Sequence, residues 1–269
     1  MGWTIEARNI WFSYIGREYV IKDVSFKAEP GYVTSIIGPT GCGKSTLIFL
    51  LAGLLKPKKG TVLYNNLPLE KIFHKVRREI GVLFQNPDDQ LFNPTVYDEI
   101  AYSLRTLGIK EDEIKEKVKV IAEKMKITSL LGRSPFRLSV GEKKKVALAS
   151  ILIYDPNILF LDEPTSNLSS ADIEFLNKIV WEAKDKGRTV IVASHDLEFA
   201  LQNADYVYIL NKGEIKVKCR NIGLLRKDII EKAGLKHLLL FKIAKELNVS
   251  HNTLLSILKK LRQKSMLKK

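Results

Sequence analysis

Up to about residue 210, apolar residues follow two alternating patterns, and the alternation fixes most of the expected elements. Short runs rich in Val, Ile, Leu and aromatic residues at 32–37, 80–84, 158–161, 189–193 and 206–210 read as strands. Several are apolar on both faces, as strands of a parallel sheet covered on both sides are. Between them, apolar positions recur at helical spacing over 45–55, 96–107, 112–125, 142–154 and 171–186. Three of these helices fall in succession between the second and third of those strands, which predicts a helical subdomain over about 95–150 inserted in the sheet order. Residues 5–10 and 20–28 also have strand character, and 61–64 runs into Asn65-Asn66, a hairpin turn.

Composition narrows the class. At 269 residues, 45% hydrophobic and 28% charged, the chain is long enough for one large α/β domain with an appendage, and neither disordered nor collagenous. Two distant cysteines, Cys42 and Cys219, argue for a reducing compartment and against a bridged secreted fold. No window of about 18 apolar residues occurs, since the most apolar stretch, 151–161, is broken by Asp155 and Pro156. The first nine residues lack the apolar core of a signal peptide, so the chain is expected neither to span a membrane nor to cross one by the Sec route.

The net charge of +14 is unevenly spread: residues 1–209 hold 28 basic against 26 acidic side chains, while 210–269 hold 16 against 4. A nearly neutral body thus carries a basic tail, with a boundary expected near Lys212-Gly213 and a helical extension beyond it.

The strongest chemical signal is Gly38-Pro39-Thr40-Gly41-Cys42-Gly43-Lys44-Ser45-Thr46, which satisfies G-x-x-x-x-G-K-[ST] between an apolar strand and a helix. Glycines let the backbone wrap phosphate oxygens with its N–H groups inward, and the helix adds its positive end. Lys44 is expected to reach the β- and γ-phosphates and the Ser45 hydroxyl to ligate Mg²⁺. About 120 residues on, the run 157–161 ends in Asp162-Glu163-Pro164. Two acids at a buried strand end need a cation or a reaction. Asp162 suits Mg²⁺, and Glu163 suits the general base that polarises attacking water.

With these motifs in order, the chain resembles the ATP-binding subunits of ABC transporters from about residue 4 to residue 218. Leu138-Ser139-Val140-Gly141-Glu142 stands at the family's LSGGQ signature, immediately before a helix. Gln85, at the end of a strand, matches the family's glutamine that senses Mg²⁺, attacking water and the membrane partner. His195, in Ala193-Ser194-His195-Asp196, matches its switch histidine, and Tyr14, in Phe12-Ser13-Tyr14, its adenine-stacking aromatic. The resemblance implies a P-loop NTPase (RecA-like) α/β core with an antiparallel β subdomain, the inserted helical subdomain and a C-terminal helical extension. It divides the chain into a nucleotide-binding domain over 1–218 and a basic extension over 219–269.

Gln85-Asn86-Pro87-Asp88-Asp89-Gln90-Leu91-Phe92, followed by Pro94-Thr95-Val96, is similar to the energy-coupling-factor and cobalt-transport ATPases. In the tail, Ala233-Gly234-Leu235 and residues 239–247 resemble the segment through which such ATPases pair. The resemblance implies ATP and Mg²⁺ as cofactors, a second ABC ATPase subunit as homo- or heterodimer partner, an integral transmembrane subunit and a substrate-capture subunit. It implies import of a vitamin or a transition-metal ion from a peripheral seat on the cytoplasmic face of the membrane.

Val140 and Ser169 depart from the family, which has glycine in the signature and aspartate in the loop after the acidic pair. In the family both places, with Ser139, Gly141 and Glu142, act on the partner's nucleotide. Lys44, Asp162, Glu163, Gln85 and His195 act on the chain's own. A heterodimer with one weakened site is therefore one expectation, and tolerance of Val140 through its backbone N–H is the other.

Residues 241–262 also read as helix, turn, helix in a basic setting, which suits a DNA major groove. A soluble ABC-type ATPase or regulator touching nucleic acid through this tail is the alternative. Solvated lysines on any small pairing helix give the same pattern, and nucleic acid is not the expected partner.

Overall fold

The structure, a computed structural model, describes residues 2–220. Two sheets form its frame. The smaller is antiparallel, in the order β2-β1-β4-β5, built from β1 (Ile5–Phe12), β2 (Ile21–Ala28), β4 (Lys59–Tyr64) and the short β5 (Leu67–Pro68). Along β2 buried and more exposed residues alternate, as expected of a sheet with one face on the core. Asn65 and Asn66 both take left-handed backbone angles at the β4–β5 turn, the conformation a two-residue hairpin requires and asparagine tolerates.

The larger sheet has the order β10-β9-β3-β8-β7-β6, from β3 (Val33–Ile37), β6 (Ile80–Leu83), β7 (Ile158–Asp162), β8 (Thr189–Ser194), β9 (Tyr206–Asn211) and β10 (Glu214–Arg220). β9, β3, β8, β7 and β6 run parallel. Every residue of β3, β7 and β8 is buried, because core packs on both faces. One face meets α1 (Lys44–Leu51), α2 (Leu69–Val76) and the small sheet. The other meets α3 (Val96–Thr106), α4 (Glu111–Lys124), α5 (Val140–Leu152) and α6 (Ser170–Asp185), and α7 (Leu197–Asn203) flanks β3 and β9.

The expected strands and the inserted trio α3–α5 are present. Two short helices, α2 and α7, and strand β10 were not legible in the periodicity. The boundary expected at Lys212-Gly213 needs correction: the two residues make the left-handed turn of a hairpin, and β10 pairs antiparallel with β9 out to Arg220 opposite Tyr206. Glu214, Lys216, Lys218 and Arg220 alternate with Ile215, Val217 and Cys219, so charge that suggested a departing helix decorates an edge strand instead. The division at 218/219 consequently cuts β10. The rest of the expected extension, with the helix-turn-helix-like 241–262 and the pairing segment at 233–247, lies outside the described residues.

Candidate functional site

Strand register brings the chemistry together. Ile36 and Asp162 both lie opposite Ala193, so β3, β8 and β7 end side by side and deliver the phosphate loop, Ser194-His195 and Asp162-Glu163 to one edge. Gln85 follows two residues after β6, whose Leu83 pairs with Leu161.

The loop at 38–43 is shaped by its glycines. A Cβ on Gly38 would stand 2.1 Å from the Leu210 carbonyl oxygen of β9, so only glycine lets the chain leave β3 there. Gly43, at φ +107°, turns the backbone directly into α1. Lys44 opens that helix and folds its side chain back, donating to the carbonyls of Gly38 at 3.0 Å and Pro39 at 3.3 Å. Its Nζ also lies 3.2 Å from Glu163 Oε1, in a pair almost wholly buried. Thr46 Oγ1 is 3.2 Å from the hydroxyl of Tyr14, whose ring packs edge-on against Phe12 and stays partly exposed at the mouth of the loop. Burial pushes the Cys42 thiol up, which leaves it a packing residue of the loop.

Asp162 is 0% exposed, and neither of its carboxylate oxygens has a well-formed hydrogen bond among the described residues. Burial pushes its carboxyl up to about 6, against the pull of the Ser45 hydroxyl and the Lys44 ammonium. A hydroxyl beside two orphaned carboxylate oxygens is a donor set that fits a small hard cation.

Glu163 has a left-handed backbone, φ 44°, an angle that costs a non-glycine residue about 1–3 kcal/mol and must be held by its surroundings. Its N–H donates to Ala193 O at 2.8 Å. One carboxylate oxygen faces Lys44. The other lies 2.7 Å from His195 Nδ1 and accepts from the His195 N–H and the Ser194 hydroxyl, each at 3.3 Å. His195 itself is 60% exposed, so its ring hangs over the site from the carboxylate. A positioned carboxylate with an imidazole and an ammonium on its two oxygens can accept a proton from water.

Gln85 joins Ser45 and Asp162 in the wall of an open cavity of about 480 Å³ that Val140, Ser166 and Asn167 also line. The loop containing it is a built structure. Asn86 caps a 3-10 turn over Pro87–Asp89 by accepting from the Asp88 N–H, Gln90 accepts from Phe84 N–H and donates to Ala147 O, each at 3.2 Å, and Asp88 pairs with Lys143.

Ser139 and Glu142 are engaged with each other rather than with the phosphate loop. Glu142 Oε2 accepts from the Ser139 N–H at 2.8 Å and hydroxyl at 2.7 Å, the capping box that starts α5. A Cβ on Gly141 would meet only Asn167 O at 3.6 Å, and Val140 is exposed, so nothing among the described residues demands glycine at either place. Ser169 caps α6 by accepting from the Asp172 N–H, a task that serine and aspartate share.

Sequence reasoning missed three anchoring residues: Gln90, Lys144 and Glu99. Glu99 is buried in α3 and accepts from the N–H groups of Phe92 and Asn93. Lys144 is buried in α5, and its position with Ala147, Leu148 and Ile151 on one apolar stripe was the available signal.

The ABC transporter family model matches residues 21–166. The chain is similar to an energy-coupling factor transporter ATP-binding protein, EcfA, of Methanothermobacter thermautotrophicus, with 38% identity over 239 residues covering 86% of this chain and 76% of that protein. Among solved structures it is similar to cbiO1 from Clostridium perfringens, described as part of the ABC transporter complex cbiONQ, at TM-score 0.74 and 30% identity, covering 93% of this chain and 100% of that one. A dimeric ATP-binding cassette in a post-hydrolysis state bound to ADP and Pi aligns at TM-score 0.72 and 26% identity, covering 81% of this chain and 98% of that one.

Proposed function

The chain belongs to the ABC transporter family and is an ATPase, and we propose that it powers an energy-coupling-factor-type importer that takes up a vitamin or a transition-metal ion such as cobalt or nickel. The observation that carries the hydrolytic part is the meeting of Lys44, Asp162, Glu163 and His195 at the ends of adjacent parallel strands. The loop over 38–46 binds phosphates through its amides, and Lys44 adds a positive charge to them. Tyr14 stacks on the adenine. Ser45, Gln85 and Asp162 hold Mg²⁺, which when bound neutralises charge on the phosphate oxygens. Glu163 takes the proton of the attacking water, and His195 holds that carboxylate in line.

The import reading draws support from the likeness to EcfA and cbiO1 and from the loop at 85–90, whose polar residues lock it to α5. Motion of that loop with the helical subdomain offers a route to a membrane partner. The chain pairs with a second ABC ATPase, which meets Ser139, Val140, Gly141 and Glu142. An integral transmembrane subunit and a substrate-capture subunit complete the assembly. No helix among the described residues is long and apolar enough to cross a membrane, which fits a peripheral seat on the cytoplasmic face.

Tagged full-length protein purified from native membranes in mild detergent tests this reading. It should bring down integral membrane chains and an ABC ATPase partner. A membrane-free preparation carrying nucleic acid overturns it.

A further inference from the structure

Three consecutive lysines at the start of α5 reach three different parts of the site. Lys143 pairs with Asp88 in the glutamine loop, and Lys145 pairs with Asp172 in the first turn of α6, both at 2.6 Å. Between them Lys144 is 0% exposed and donates to Glu163 O at 2.9 Å, Ser166 O at 2.9 Å and Ser166 Oγ at 2.6 Å. The Ser166 hydroxyl passes its own hydrogen to Glu163 O at 2.8 Å. An ammonium has three donors, and all three are matched.

We propose that Lys144 is a positioning residue for hydrolysis, fixing the backbone of Glu163 to the helix whose first turn presents Ser139, Val140 and Gly141. Glu163 sits at φ 44° and Asn167 at φ 59°, so the turn between them needs external restraint, and Lys144 supplies it from inside the protein. Burial lowers the Lys144 pKa to about 8, with the Glu163 and Asp162 charges opposing the shift. Apolar packing would fill the same space without burying a charge, so the ammonium is kept for the carbonyls it holds. Because the first turn of α5 faces the partner's nucleotide in the dimer proposed above, displacement of α5 there is transmitted through one side chain to this chain's own general base.

The inference rests on Glu163 as that base, and the experiment separates the two. Full-length Lys144→Met keeps length and bulk but no donor, Lys144→Gln keeps two N–H donors without charge, and Glu163→Gln is the control. Lys144→Met is expected to lose roughly tenfold to a hundredfold in kcat, with KM and ADP affinity within twofold of wild type. Lys144→Gln recovers most of the loss. Amide hydrogen exchange over 163–168 speeds up in Lys144→Met and is restored in Lys144→Gln. Wild-type kcat and exchange in Lys144→Met, beside an inactive Glu163→Gln, overturn the role of Lys144 alone; an active Glu163→Gln overturns the hydrolytic reading beneath it. If Lys144→Met fails to fold, Ser166→Ala decides: it removes one acceptor, and a lowered kcat with faster exchange at 163–168 supports the clamp, while wild-type values for both overturn it.

Discussion

His195 Nδ1 lies 2.7 Å from Glu163 Oε2, while the other oxygen of the same carboxylate lies 3.2 Å from Lys44 Nζ. The carboxylate is therefore oriented from both sides. An Nδ1–H tautomer donates to Glu163 and leaves Nε2 as the ring's acceptor. His195→Ala is expected to lower kcat about a hundredfold in steady-state ATPase assays, while ATP binding by equilibrium titration stays within threefold. His195→Gln, which can still donate to Glu163, should retain more activity than His195→Ala.

Tyr14 combines a partly exposed ring with a hydroxyl 3.2 Å from Thr46 Oγ1. If the ring stacks on adenine, Tyr14→Ala costs about 1–3 kcal/mol of ATP affinity and leaves kcat at saturation little changed. Tyr14→Phe keeps the stacking face and should bind within threefold of wild type. A fluorescent ATP analogue competed with ATP reads both.

Lys144 also makes a pH prediction. Its pKa falls from 10.5 to about 8, so folding makes the ammonium easier to deprotonate while leaving it mostly charged below pH 8. The facing charges are Asp162 and Glu163 on and just after β7, and both hold the proton on. Stability associated with this group is fully present above pH 10.5 and is lost as pH falls through 8. Wild type should therefore gain roughly 1–3 kcal/mol relative to Lys144→Met between pH 8 and 10.5, read from urea unfolding at each pH. A difference between the two proteins that stays flat across that window would mean that burial does not lower the Lys144 pKa, which contradicts the desolvation of its ammonium.

The parallel core was legible because its strands are short, β-branched and apolar on both faces, and because Gly38 and Gly43 sit where the backbone needs them. Lys44, Ser45, Asp162 and Glu163 could be named because motif spacing carries them to strand ends. What stayed hidden was polar and three-dimensional. The alternation of β10 was masked by its lysines, α2 and α7 were too short for periodicity to declare, and the anchoring partners of Gln90 and Lys144 lie 57 and 22 residues away in sequence. Ser139 and Glu142 were assigned to a nucleotide on resemblance, although their S-x-x-E spacing also encodes the capping box that the structure shows.

Glu163→Gln tests the central claim most directly, because glutamine keeps the size and shape of the side chain while removing its negative charge and its capacity to take a proton. Single-turnover measurement with radiolabelled ATP and the full-length protein is expected to show hydrolysis reduced by roughly a thousandfold or more, with ATP bound as tightly as in wild type. Hydrolysis within tenfold of wild type would contradict the assignment of Glu163 as general base and, with it, the mechanism built on the edge where β3, β8 and β7 end.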